Sequence, residues 1–306
     1  MARAAATIGR VRAGRRRAPW RKYALPYLFI SPWIIGVLVF FAYPILASLY
    51  YGFTQYDVFL PAKWVGLRNY QELLQDRYFL QAISNTLIFV VAAVPGALVS
   101  GFIHALLLNF RLPGQPIFRT LALVPGTVPV AAAAAVWLYI LSPGPGLINS
   151  VFRSFGLPYQ SWIADPESVK WVFVGLEVWA GSGMLVFLAS LQSVPDELFD
   201  AAKVDGANAL HRLLHITIPV ITPAVLFNLL MGLINAFQYF AFPLLLTNGG
   251  PAGGSTFFGQ NLYDNAFTYY KMGYASAQAW ILFVICAIVV YAVFRSSARW
   301  VYYEAE

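Results

Sequence analysis

Six apolar runs divide the chain, at residues 26–53, 82–108, 117–141, 171–191, 216–246 and 277–294. A helix rises about 1.5 Å per residue, so about 20 apolar residues cross the hydrocarbon core of a bilayer. Each run approaches or exceeds that length. The first, second and fifth have residues to spare for tilt or for turns outside lipid. Composition leaves these runs no other solvent. Of the 306 residues, 59% are hydrophobic and 11% are charged, against about 25% charged in a soluble domain. The expected fold is an all-α integral membrane protein with six transmembrane helices and a helix-turn-helix between spans 4 and 5. The first run is too long for a signal-peptide core, and no short apolar core with a cleavage site precedes it, so it reads as a retained helix.

The net charge of +7 is concentrated at one end. Eight of the 20 basic residues fall in the first 22 positions, from Arg3 to Lys22. A basic tail directly before a membrane segment is a topology signal and a contact for anionic lipid, rather than a nucleic-acid site. With the N-terminus in the cytoplasm, fourteen basic residues fall inside and six outside, the tail carrying most of the difference. Both termini and the segment 195–215 are therefore expected in the cytoplasm. The expected organisation is a tail at 1–25 and one transmembrane domain at 26–306. The single cysteine, Cys286, lies in an apolar run and makes no internal disulfide.

The longer connections, 54–81, 142–170 and 247–276, are expected outside. The second holds Pro-Gly-Pro-Gly and a short amphipathic helix near 147–155; the third opens with Asn-Gly-Gly-Pro-Ala-Gly-Gly, read as a turn-rich hinge. They serve either as connectors or as a docking surface. Pro32, Pro44, Pro95, Pro125, Pro129 and Pro243 lie inside spans, where each removes a helix hydrogen bond. The freed carbonyls must then find partners within the protein.

The segment 195–215 is polar and sits between two spans. Ser193 is expected to cap a helix that begins near Pro195, with Asp196 and Glu197 in its first turn, where the helix dipole favours anions. Leu198, Ala201 and Ala202 share a face of low relief. Gly206 is expected to end the helix in the left-handed conformation, and a second helix, 207–215, to return the chain toward Pro219. A plain loop would need the cap and the terminator but not the flat alanine face.

At this point the residues resemble a known family. Asp200-Ala-Ala-Lys-Val-Asp-Gly206, followed ten residues later by Ile216-Thr-Ile-Pro219, is similar to the signature loop of binding-protein-dependent ABC importer permeases. That loop reads Glu-Ala-Ala, three residues, Gly, nine residues, Ile-x-Leu-Pro. The departures are Asp200 for the glutamate and Ile218 for the leucine. Tyr27-Leu-Phe-Ile-Ser-Pro-Trp33, Trp64-Val-Gly-Leu-Arg-Asn-Tyr70, Phe118-Arg-Thr120 with Pro125, Leu246-Thr-Asn-Gly-Gly-Pro251 and Met272-Gly-Tyr-Ala-Ser-Ala277 resemble the carbohydrate branch, of the maltose and glycerol-3-phosphate type. The resemblance implies that Glu197, Asp200, Ala201, Ala202, Asp205, Gly206 and Pro219 belong to an ATPase-coupling element. It also implies a cytoplasmic ATPase dimer, a second related permease and an extracytoplasmic binding protein as partners, in a prokaryotic inner or plasma membrane.

The chain itself has no phosphate loop, which needs Gly-Lys-Ser/Thr; none of its five lysines follows a glycine. Hydrolysis, with its ATP and Mg, is thus assigned to a partner, and this chain is expected to bind no cofactor and to be no enzyme. A sugar path needs hydrogen-bonding groups and aromatic faces at membrane depth. Asn228, Asn235, Gln238 and Tyr239 in the fifth run supply both, although such residues also act as hydrogen-bond glue between helices. Glu177 is the one acidic residue well inside a span, facing either a sugar hydroxyl, a basic partner or the outer interface. His104 reads as a packed histidine, and no residue spacing suggests a metal site. The alternatives are an importer of another polar solute such as glycerol phosphate, a stand-alone channel, or an intramembrane enzyme using His104 and Glu177. Scarce basic residues in the spans favour a neutral solute. The insert disfavours a channel, and the different depths of His104 and Glu177 disfavour the enzyme.

Overall fold

The structure is a computed structural model that describes residues 20–110, 113–144 and 146–302. Most of the expected tail lies outside these residues, as does Arg111. The chain divides into two units, Met1–Tyr50 and Tyr51–Glu306, and each is described by itself.

In the first unit, α1 (Trp20–Val37) passes through a π-turn at Leu38–Ala42 into α2 (Tyr43–Gly52). The π-turn lies just ahead of Pro44, which has no N–H to offer the carbonyl of Phe40, and a widened turn accommodates that gap.

The second unit opens with a two-residue antiparallel hairpin, β1 (Thr54–Gln55) and β2 (Lys63–Trp64), in which Thr54 pairs with Trp64. Helix α3 (Arg68–Gln75) follows. The side-chain amide of Asn69 donates to the carbonyls of Gly52 and Thr54, both at 2.9 Å, and so ties α3 to the hairpin. Helix α4 (Arg77–Asn109) is the axis of the unit. It begins five residues before the expected run because Asp76 caps it, accepting from the backbone N–H of Tyr78 at 2.8 Å and Phe79 at 3.4 Å. Its buried stripe recurs every three to four residues through Phe79, Ala82, Thr86, Phe89, Ala93, Ala97, Gly101 and Ala105. The stripe packs on α8 (Val169–Ala180), α9 (Met184–Gln192) and α13 (Thr222–Phe237). Small residues permit this. A Cβ at Gly101 would collide with the Ser182 carbonyl, and one at Gly96 would press on the Val178 side chain.

Among the described residues, four helical stretches are long and apolar enough to cross a membrane: Pro26–Gly52, Arg77–Asn109, Val169–Gln192 and Met272–Ser297. The third and fifth expected spans are bent instead. Helices α5 (Gln115–Thr127) and α6 (Val130–Leu141) meet at 95°, and the helical stretch Ala209–Val220 meets α13 at 64°. The first bend falls at Val128-Pro129, where proline restricts the residue before it and withholds its own N–H. The stretch Ala209–Val220 consists of α11 (Ala209–Arg212), a π-turn at Leu213–Thr217 and α12 (Ile218–Val220). This second π-turn also sits just ahead of a proline, Pro219. The expected helix 207–215 is therefore no separate return helix: it begins at Ala209, capped by Asn208, and continues to Val220.

The remaining elements of the unit are α7 (Leu147–Ser154), α10 (Asp196–Val204), α14 (Ala241–Thr247), α15 (Phe258–Tyr263) with a π-turn at Asp264–Thr268, and α16 (Met272–Ser297). Asp165, before α8, is held below the usual carboxylate range by hydrogen bonds from the side chain and backbone of Ser168.

The segment expected to be a hinge, from Asn248 onward, is tied down. Asn85 donates to the carbonyls of Gly253 and Thr256 at 2.9 and 3.0 Å, Gln81 to Ala252 at 3.2 Å, and Thr86 accepts from the backbone of Phe258 at 2.8 Å. Glycines make the turns, but polar residues of α4 hold them. No sequence-local signal announces that, because the partners lie about 170 positions away.

Candidate functional site

Three helix breaks converge on one cavity. The break at Val128-Pro129 separates α5 from α6. That at Gly181-Ser182-Gly183 separates α8 from α9, with both glycines at positive φ (+67° and +75°). That at Gln238-Tyr239-Phe240 separates α13 from α14. The cavity holds about 470 Å³ and is lined by residues of α5, α6, α8, α9 and α14, together with Gly181, Gly183 and Tyr239 from two of the breaks. Irregular backbone at membrane depth is tolerated where it is buried in protein or lines a cavity, and broken helices recur at solute sites in transporters. The Gly183 carbonyl accepts from the backbone N–H of Phe187 at 3.0 Å and also from the amide of Asn228 at 3.4 Å, which ties α13 to the break.

Among the described residues, Glu177, on the last turn of α8, is the one carboxylate in the lining, and no lysine, arginine or histidine lines the cavity. Trp137, Trp179, Tyr239 and Phe242 supply aromatic surface, the two tryptophans meeting edge to face at 5.4 Å. Tyr239 is locked in place. Its ring stacks on Phe89 at 4.5 Å and touches Phe257 and Phe173 edge to face at 5.6 and 6.2 Å. A smaller cavity of about 60 Å³ adjoins these residues and is lined by Glu177, Ser182, Asn228, Asn235 and Tyr239.

Four of the five sequence-derived path residues, Glu177, Asn228, Asn235 and Tyr239, are thus brought together from two helices and a break. The fifth, Gln238, caps the end of α13 and lines neither cavity. Sequence reasoning did not single out Trp137, Trp179 or Phe242. A signal that could have pointed to their neighbourhood is Gly181-Ser182-Gly183, which interrupts the apolar run 171–191. His104 packs against the backbone of Gly181, with Ser100 Oγ 3.5 Å from its Nδ1. Among the described residues no group of three or more His, Cys, Asp or Glu side chains is placed to hold a metal.

The insert has a different construction. Ser193 does not cap α10: its hydroxyl donates to the Ser190 carbonyl at 2.8 Å and it closes α9, so α10 begins at Asp196 with Pro195 before it. At the other end Gly206 has φ +77°. Its N–H bonds the Lys203 carbonyl at 3.1 Å and the N–H of Ala207 bonds that of Ala202 at 2.8 Å, the paired bonds of a Schellman end. Asp200 pairs with Lys203 at 2.7 Å in the open. Glu197, Leu198, Ala201 and Asp205 are exposed, and Val204 presents 88% of its surface. Pro219 lies one turn before the bend into α13. The C-terminal end lies beside the start of α13, since the backbone N–H of Tyr302 donates to the Thr222 hydroxyl at 2.8 Å.

Comparison with known proteins places this geometry. Residues 97–303 match the family described as "Binding-protein-dependent transport system inner membrane component". A probable ABC transporter permease protein, YesP of Bacillus subtilis, is 39% identical over 285 residues, covering 92% of each chain. The trehalose/maltose transport system permease protein MalF of Thermococcus litoralis is 33% identical over 257 residues, covering 83% of this chain and 86% of its own. Among solved structures, a chain of a bacterial ABC transporter involved in the import of the acidic polysaccharide alginate superposes with a TM-score of 0.80 at 23% identity, over 91% of this chain and 96% of that one.

Proposed function

The chain belongs to the binding-protein-dependent transport system inner membrane component family, and from that premise we propose that it forms one half of the solute path of an ABC importer for a neutral sugar or oligosaccharide. The observation that carries this reading is the cavity at the three helix breaks. Aromatic faces suit the apolar faces of sugar rings, and Glu177 and the Tyr239 hydroxyl suit their hydroxyls, with Asn235 in the adjoining small cavity. A lining with one carboxylate and no cation disfavours a phosphate or uronate, since a like charge in a low-dielectric site is costly.

In this reading the two bent pairs are single spans, which gives six, with both termini and the insert in the cytoplasm of a prokaryotic cell. The exposed face of α10, centred on Glu197, Ala201 and Val204, docks in a groove of a cytoplasmic ATPase dimer. Gly206 and Pro219 fix how that face is carried relative to α13. A second permease completes the path, and an extracytoplasmic binding protein delivers the solute. The ATPase closes on ATP and Mg, and the helices α10 to α13 transmit that closure to the breaks, so that a two-state element changes the side on which the cavity opens. The chain itself binds no nucleotide.

The test is reconstitution with all partners in vesicles, presenting neutral oligosaccharides, uronates and glycerol phosphate through their binding proteins. ATP-dependent uptake of a neutral sugar is expected, and uptake restricted to an anionic solute would overturn the assignment. The purified chain alone is expected to hydrolyse no ATP.

A further inference from the structure

On the side that carries the insert, a separate cavity of about 1030 Å³ lies between the end of α4, the start of α5 and the helices α10 and α11. Three cations reach it from three elements: Arg119 of α5, Lys203 of α10 and Arg212 of α11, against one lining carboxylate, Asp196. Lys203 is paired with Asp200. Arg119 and Arg212 make no ion pair among the described residues. Among the described residues the buried Nε of Arg119 has no hydrogen-bond partner, and the guanidinium's one bond runs from Nη2 to the Leu108 carbonyl at 3.5 Å. A buried guanidinium N–H without an acceptor has lost its water and gained nothing in exchange, and the α4 end does not need it, because Gln115 already donates to the Leu108 and Phe110 carbonyls at 2.8 and 3.1 Å. Beside these cations the wall is apolar, with Leu107 and Phe110 at the end of a membrane-spanning helix.

We propose that this cavity binds a phosphate group, held by Arg119 and Arg212, beneath the insert. The planar guanidinium fork matches phosphate oxygens two at a time and leaves no donor idle. The neighbouring apolar wall suits the glycerol and first acyl carbons of an anionic phospholipid, and a soluble phosphate would use the cations alone. The inference rests on the proposed membrane placement but not on the identity of the transported solute. A ligand here bridges α5 to α11, so it would stiffen the joint between the insert and the span ends.

The purified complete importer in detergent can be titrated with short-chain phosphatidylglycerol, a neutral polyoxyethylene alkyl ether of equal chain length, and inorganic phosphate, reading the unfolding temperature. Wild type is expected to be stabilised by phosphatidylglycerol and not by the ether. The midpoint should rise about tenfold in Arg212→Gln, as loss of one charge-assisted hydrogen bond to phosphate requires, and further in Arg119→Gln/Arg212→Gln. Arg295→Gln, which removes a charge from the exposed end of α16, is expected to match wild type. Arg212→Gln alone decides the matter if the double variant fails to fold. Stabilisation by inorganic phosphate as well supports a soluble source; stabilisation by the lipid only supports a headgroup. Equal response to the ether and the lipid, no response to either phosphate, or an unchanged midpoint in Arg212→Gln would each overturn the proposal.

Discussion

The central cavity and the insert are two ways of placing a functional surface. The insert is held by bonds between near neighbours: the Gly206 and Ala207 N–H groups close on carbonyls three and five residues back, Lys203 pairs with Asp200, and the Asn208 side chain caps α11. Its working face is exposed, and little else packs against it. The cavity is the reverse. Its polar residues come from helices whose positions depend on α4, and Tyr239 is held by rings from positions 89, 173 and 257. The difference implies that damage to the insert leaves an assembled but uncoupled protein, whereas damage to the packing behind the cavity removes the protein altogether.

That contrast can be broken by experiment, beginning with the largest effect. Gly101→Val puts a side chain into the Ser182 carbonyl. With no room on the α4–α9 face it is expected to cost more than about 3 kcal/mol and to abolish recovery of folded complex in a thermal or size-exclusion assay. Full recovery would mean the break at 181–183 is looser than its contacts indicate. Gly206→Val meets no atom, because nothing lies within 4 Å of an added Cβ; its cost is the left-handed conformation, about 1–2 kcal/mol or more for a β-branched residue. The complex is expected to assemble and to lose most of its solute-stimulated ATPase activity. Normal coupling would remove the insert from the drive mechanism.

Asn235→Ala removes one amide from the small cavity without touching the aromatic cluster. Uptake is expected to fall by about tenfold with unchanged assembly, the loss of one hydrogen bond to a solute hydroxyl. Unaltered uptake kinetics would reassign Asn235 to helix packing. The smallest effect is expected from Asp200→Ala. Its ion pair is exposed on both sides and contributes no more than about 1 kcal/mol. A change in unfolding temperature beyond a few degrees would show that the Asp200 carboxylate does more than pair with Lys203.

The two regions also differ in how far the sequence disclosed them. The glycine terminator and the acidic first turn were legible because a helix end depends on the residues within one turn of it. Even there the cap was misplaced: Ser193 closes α9 by donating back to Ser190, a role a serine takes as readily as capping forward. For the cavity, Glu177, Asn228, Asn235 and Tyr239 stood out as polar groups in apolar runs, but Gln238 stood out equally and lines neither cavity. Trp137, Trp179 and Phe242 were invisible as site residues, since aromatic residues in a span suit packing, interface and cavity alike.

The sequence by itself determined that the chain enters a membrane and roughly where its helices run and end, because length, hydropathy and end signals act locally. The tertiary structure alone decided that the third and fifth runs bend, that three breaks meet at one cavity, and that a glycine-rich loop is a tied structure rather than a hinge. Those outcomes depend on which carbonyls and small residues face each other across helices far apart in the chain, and a one-dimensional pattern does not record such meetings.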